Sequence, residues 1–211
     1  MPTKITILNA SGKFSRVLDL LESRAQRSLA DIKAHIELPN IDIVISPCSD
    51  EYKTESGILG CVSSQYVIDI LLDADHANLV DIINRELTAV IAHELHHVIR
   101  QSAGIKNKNL IENLITEGLA CHFETKFNGN TTPRFFDEIK QYDWRDLFHQ
   151  MKPHLQDIDF DYPVYFAGKD TKQFPNRAGY WVGFNLVSQY ISKHGGCAVS
   201  LVASTAEELR I

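Results

Sequence analysis

"AVIAHELHHVI", Ala89 to Ile99, sets three histidines and a glutamate into an otherwise apolar run, and its reading decides both the fold and the chemistry. At about 100° per residue, His93 and His97 lie only about 40° apart on a helix surface, so their imidazoles can converge on one point beside the helix. Glu94 falls about 60° from His97, next to that point. A H-E-x-x-H zinc site needs this arrangement: two neutral imidazoles hold the ion, and the carboxylate reaches the reacting water without ligating the metal. Leu87, Ile91, Leu95 and Val98 point the other way, toward a core. His96 projects about 100° away from His97, which suits a supporting or solvent-facing position better than ligation.

Five residues alone are insufficient. With 9 His and 12 Glu in 211 positions, shuffling would produce H-E-x-x-H in about one chain in fifty. A third ligand is required, and "NLITEGLACHFE" offers Glu117, on the side of a second helix that carries Leu110, Leu114 and Cys121. A carboxylate flanking an apolar stripe needs a partner. A helical hairpin between His97 and Glu117 would bring that carboxylate level with the histidines. Three protein ligands, His93, His97 and Glu117, would leave the fourth tetrahedral position open, as a catalytic zinc demands, with one Zn2+ per chain. The competing reading is a half-buried helix whose polar edge carries Glu86, His93, His96, His97 and Arg100, with Glu117 paired elsewhere.

Outward from this helix, "KITIL" and "IDIVIS" read as short strands around a helix from Ser15 to His35, a β-α-β opening. "SQYVIDILLD" alternates as a third strand, with Tyr66, Ile68, Ile70 and Leu72 on one face and Asp69 and Asp73 on the other. The histidine helix is expected over about Leu79 to Gln101, and the Glu117 helix over about Asn109 to Phe127 with Gly129 as its stop. Two further helical patterns, Arg134 to Met151 and Asn176 to His194, bracket a loop rich in Pro, Asp and aromatics. The expectation is a single α+β domain over 1–211, with a small N-terminal mixed sheet in 1–78 and a helical lobe carrying the site in 79–211. "DIDFDY", Asp157 to Tyr162, does not make a calcium loop: Tyr162 stands where the sixth-position glycine belongs, and Gly168 replaces the twelfth-position glutamate.

Composition narrows the function. Lys and Arg number 21 against 27 Asp and Glu, a net charge of −6 with no basic run able to track phosphates, which argues against nucleic acid. No apolar run approaches the roughly 20 residues needed to span a bilayer, and no signal-peptide pattern opens the chain, so a cytoplasmic location without membrane partners is expected. Cys48, Cys61, Cys121 and Cys197 are irregularly spaced, as reduced thiols and not a disulfide framework. Oligomeric state is not legible.

With "AHELHHVIR", "ITEGLACHFE" and "AGYWVGFNLV" in view, the chain resembles gluzincins, zinc metallopeptidases that combine H-E-x-x-H with a glutamate on the next helix. It looks most like the small YjaZ-like predicted zinc-dependent proteases, over about residues 89 to 190. The resemblance implies a zincin-like fold built on a minimal thermolysin-like catalytic domain, His93, His97 and Glu117 as ligands, and Glu94 as base. It also implies an oxyanion-binding role for Tyr180, which with Gly183 resembles the Y-x-x-G of the one-zinc aminopeptidase branch; ordinary helix-start packing beside Trp181 and Phe184 is the alternative. By the same resemblance, "QYVIDILLD" would form the edge of the cleft that pairs with an extended substrate. Thermolysin-like members carry an aspartate four residues after the ligand glutamate; Cys121 stands there, leaving Asn113 or Glu124 as candidate supports.

These readings converge on a zinc-dependent peptidase acting on a peptide or protein substrate. Two other classes compete: a non-catalytic zinc-containing module that binds a peptide or partner, and a hydrolase of a non-peptide amide. A purely structural site has no use for a non-ligating carboxylate such as Glu94.

Overall fold

A computed structural model describes residues 3–210. Its elements are β1 (Lys4–Ile7), α1 (Leu18–Lys33), β2 (Asp42–Pro47), β3 (Ile58–Ser64), β4 (Val67–Leu72), α2 (Leu79–Arg85), α3 (Leu87–Ser102), α4 (Leu110–Glu124), α5 (Trp144–Met151), α6 (Tyr162–Phe166) and α7 (Ala178–His194), with short 3-10 turns between several of them. This is an α+β chain with a small mixed four-stranded sheet. It divides into two compact units, Met1–Ile99 with Lys126–Gly129, and Arg100–Thr125 with Asn130–Ile211.

In the first unit the sheet order is β1-β2-β4-β3, parallel except for the antiparallel β3–β4 pair. The register sets Ile43 beside Ile68 and Ile45 beside Ile70, and all four are fully buried. Alternation places them on one face, where α1 contributes Leu21, Ala25 and Ile32 at helical spacing. Burying such aliphatic side chains contributes roughly 1.5–3 kcal/mol each. The histidine helix contributes Leu87, Ala89, Ile91, Ala92 and Leu95, all fully buried, and a 2.8 Å hydrogen bond between the Ser28 and Thr88 hydroxyls ties α1 to α3.

The helix expected over Leu79 to Gln101 is in fact two, α2 and α3, bent at Glu86. Helical hydrogen bonds continue through the bend, from Glu86 N to Ile82 O and from Val90 N to Glu86 O, while Glu86 itself sits at φ −102°. Hydrophobic periodicity cannot register one displaced residue. The sequence reading also missed β3: "ILGCVSS" has a glycine and two serines and no clean alternation.

In the second unit, α4 starts at Asn109, whose side chain accepts from Glu112 N at 3.1 Å, a helix cap. The helix is then buried nearly all round, from Asn113 to Cys121 without a break. Its main neighbour is α7, and the two backbones touch. A Cβ placed on Gly118 would lie 2.3 Å from the Gly183 carbonyl oxygen, and one on Gly183 would lie 2.0 Å from that of Leu114. Arg100, only 1 % exposed, donates to Thr116 Oγ1, to the carbonyls of Val202 and Ser204 and to Glu112 Oε2, fastening the C-terminal turns to α4. Burial lowers its pKa while Glu112 and Glu208 raise it.

Two expectations fail here. The continuous helix from Arg134 to Met151 is two 3-10 turns followed by α5, because Tyr142 turns extended and Asp143 caps a new helix through Arg145 N. The loop after Met151 contains α6, opened by Pro163, whose fixed φ suits a first helical turn.

Candidate metal centre

The first unit brings three of the expected site residues together on α3. His93 and His97 face each other with ring centroids 4.7 Å apart and planes at 81°, and a ring nitrogen of each lies within 4.8 Å of the other. An ion held at about 2.0–2.1 Å by two nitrogens in tetrahedral geometry needs them about 3.3 Å apart, which small side-chain rotations can supply. The chemistry also fits, since neutral imidazole is a zinc ligand. His96, expected at a supporting or solvent-facing position, is fully buried and so does not face solvent.

Glu94, 7 % exposed, lies against β3. A Cβ on Gly60 would come within 2.6 Å of Glu94 Cγ, 2.8 Å of Glu94 Oε1 and 2.8 Å of Val90 Cγ1. Only glycine leaves room for this carboxylate under the strand. The thiol pKa of the neighbouring Cys61 is raised, by burial first and then by Glu94 and Asp69. The position of β3 also corrects the edge expected for "QYVIDILLD": β4 lies between β2 and β3, and the outer strand beside Glu94 is β3. A lone glycine inside an apolar segment is the sequence signal that could have revealed it.

The second unit positions Glu117 and Tyr180. Glu117 is buried on α4, and Oε1 accepts a 2.9 Å hydrogen bond from the hydroxyl of Tyr162, at the start of α6. The Tyr162 hydroxyl is also 3.2 Å from that of Tyr180, in the first turn of α7. The Tyr180 ring packs edge-on to Phe135 and Phe166, with the Arg177 guanidinium 5.4 Å from its centre. Burial, reinforced by Glu117 and Tyr180, pushes the Tyr162 pKa far above its ordinary value of 10.0, so this phenol stays neutral and remains a donor. Gly118 and Gly183 set the geometry: their contact brings Glu117, one residue before Gly118, alongside the turn that begins at Tyr180.

Tyr162 is the partner of Glu117 that the sequence reading missed. It lies in the acidic stretch dismissed as a calcium loop, eighteen positions before Tyr180, and no local pattern links it to Glu117. Asn113, one expected support, instead donates its side-chain amide to the carbonyls of Asn107 and Asn109 at the helix start. Glu124, the other, is buried with a carboxylate oxygen within 4.8 Å of the fully buried Cys121 thiol. His122 bonds through Nε2 to the Phe184 carbonyl and the Ser188 hydroxyl, and burial lowers its pKa.

A helix-borne histidine pair beside a buried carboxylate, in an α+β chain, defines a class able to bind zinc. Residues 21–210 match the model of a family described as "Predicted Zn-dependent protease (DUF2268)", and the chain belongs to that family. No curated protein and no solved structure matches it.

Proposed function

We propose that this chain is a single-zinc peptidase of gluzincin type with a zincin-like catalytic fold, in which His93, His97 and Glu117 hold the ion. The observation that carries the reading is the α3 constellation: two imidazoles edge-to-face with centroids 4.7 Å apart, and Glu94 on the same helix, lying against an edge strand that has a glycine at the point of contact. The family's description as a predicted zinc-dependent protease supports it.

Zinc, when bound, acts as a Lewis acid that acidifies water and polarises the scissile carbonyl. Glu94 takes the proton of the attacking water and later passes it to the leaving amine. Tyr180 donates its hydroxyl hydrogen to the developing oxyanion. The outer edge of β3 pairs with an extended peptide, since an open strand edge offers backbone donors and acceptors whatever the side chains. No helix among the described residues is long and apolar enough to cross a membrane.

The test is cleavage of a mixed peptide library by zinc-loaded protein, wild type against Glu94→Gln. The expected result is cleavage by wild type and a loss of about 10²–10⁴-fold in the variant, with zinc retained. Equal turnover in the two proteins would remove Glu94 as the base. Zinc uptake without any peptide cleavage would favour the binding-module or non-peptide amide reading.

A further inference from the structure

Glu117 offers two carboxylate oxygens, and a ligand with two equivalent oxygens can bind through either or both. One of them, Oε1, is already engaged by the Tyr162 hydroxyl at 2.9 Å. A carboxylate has no proton to give, so Tyr162 is the donor in that bond. A phenol has one proton. With it committed to Glu117, the Tyr162 oxygen can only accept from Tyr180 across the 3.2 Å contact, so Tyr180 is the donor in the second bond. The order is therefore directional: Tyr180 donates to Tyr162, and Tyr162 donates to Glu117.

The Tyr162 ring is fixed independently of these bonds. It stacks on Phe166 with centroids 4.3 Å apart and planes 10° from parallel, and Phe160 lies 6.4 Å away. A Cβ on Gly179, next to Tyr180, would meet the Phe166 ring at 2.4 Å, so α7 presses on the same aromatic group. Tyr162 is thus held by its stack on Phe166, which α7 in turn backs, and its hydroxyl reaches Glu117 from that base.

We infer that Tyr162 is a positioning residue: it pins Oε1 of Glu117 so that the other oxygen serves as the metal ligand, and it gives the Tyr180 hydroxyl an acceptor until the oxyanion forms. The inference rests on the proposed zinc site. It also assigns the two tyrosines different duties. Tyr162 acts through Glu117, whereas Tyr180 has a proton that can swing to a substrate oxygen.

The experiment compares wild type, Tyr162→Phe and Tyr180→Phe by zinc competition against a chromophoric chelator and by the visible spectrum of the cobalt-substituted proteins. Tyr162→Phe keeps the ring stacked on Phe166 and is expected to weaken zinc about 10–100-fold, the usual cost of losing a hydrogen bond to a metal ligand, and to shift the cobalt bands. Tyr180→Phe is expected to leave both readouts at wild-type values while lowering turnover. In a Glu117→Ala background, Tyr162→Phe should weaken zinc no further, which a merely structural role would not predict. Should the phenylalanine variant fail to fold, Tyr162→Met removes the same donor and carries the same expectation. Wild-type zinc affinity and an unchanged cobalt spectrum in the Tyr162 variant would overturn the positioning role and leave the zinc site standing. A folded wild type that takes up neither metal would instead overturn the zinc reading, and this inference with it.

Discussion

Glu94 and Glu117 are both buried carboxylates in contact with glycine-bearing elements, yet the two units treat them differently. Glu94 is given space: Gly60 in β3 lacks the Cβ that would collide with its side chain. Glu117 is given a donor: Gly118 and Gly183 bring α4 and α7 into backbone contact, and Tyr162 fixes one of its oxygens. In the proposed mechanism Glu94 transfers a proton and must be able to shift by a fraction of an ångström, whereas Glu117 holds the metal and works best when immobilised. The glycines serve opposite ends, room in one case and close approach in the other.

Four substitutions probe that contrast. The largest effect is expected from Glu94→Gln, the loss of about 10²–10⁴-fold in peptide turnover with zinc retained, read by library cleavage and elemental analysis. Gly183→Ala comes next. Its methyl group would lie 2.0 Å from the Leu114 carbonyl oxygen, so α4 and α7 must separate. Denaturant unfolding should show a loss of about 1–3 kcal/mol, and an unchanged midpoint would show that the helix contact is soft. Gly60→Ala should lower turnover about tenfold, by displacing Glu94 without touching the histidines, while zinc content stays at the wild-type level. A rise in zinc loss comparable to the turnover loss would mean that β3 supports the ligands and not the base.

The smallest effect concerns His122. Its folded-state pKa is below the ordinary 6.5, because burial disfavours the charged ring. As the pH falls below about 6.5, the unfolded chain takes up this proton before the folded one does, so the stability contribution present at higher pH is progressively lost. Unfolding midpoints measured from pH 8 to pH 5 should fall in wild type and fall less steeply in His122→Gln. Parallel curves would assign the acid sensitivity to other groups.

How much of this was legible in the sequence depended on whether the cause was local. His93, Glu94 and His97 lie on one helix, and their geometry follows from its pitch. Glu117 stood out as a carboxylate among Leu110, Leu114 and Cys121. The sheet's aliphatic alternation at Ile68, Ile70 and Leu72 could likewise be read. What failed was non-local. β3 is specified by its pairing with β4 and by the space Glu94 needs, and neither leaves a period-2 pattern in "ILGCVSS". Tyr162 meets Glu117 across 45 positions through the packing of α6, so no spacing rule could nominate it. The bend at Glu86 and the fresh start at Asp143 are single-residue backbone events, which hydrophobic periodicity averages away.

The central claim is that Glu117 completes a zinc site with His93 and His97. Its most direct test is zinc per chain, by elemental analysis of protein purified without added metal, in wild type and Glu117→Ala. The account predicts about one zinc in wild type and clearly less in the variant, with both proteins folded, as a three-ligand catalytic site requires. A folded wild type that carries no zinc and refuses added zinc would contradict it, leaving α3 as a core helix and nothing more.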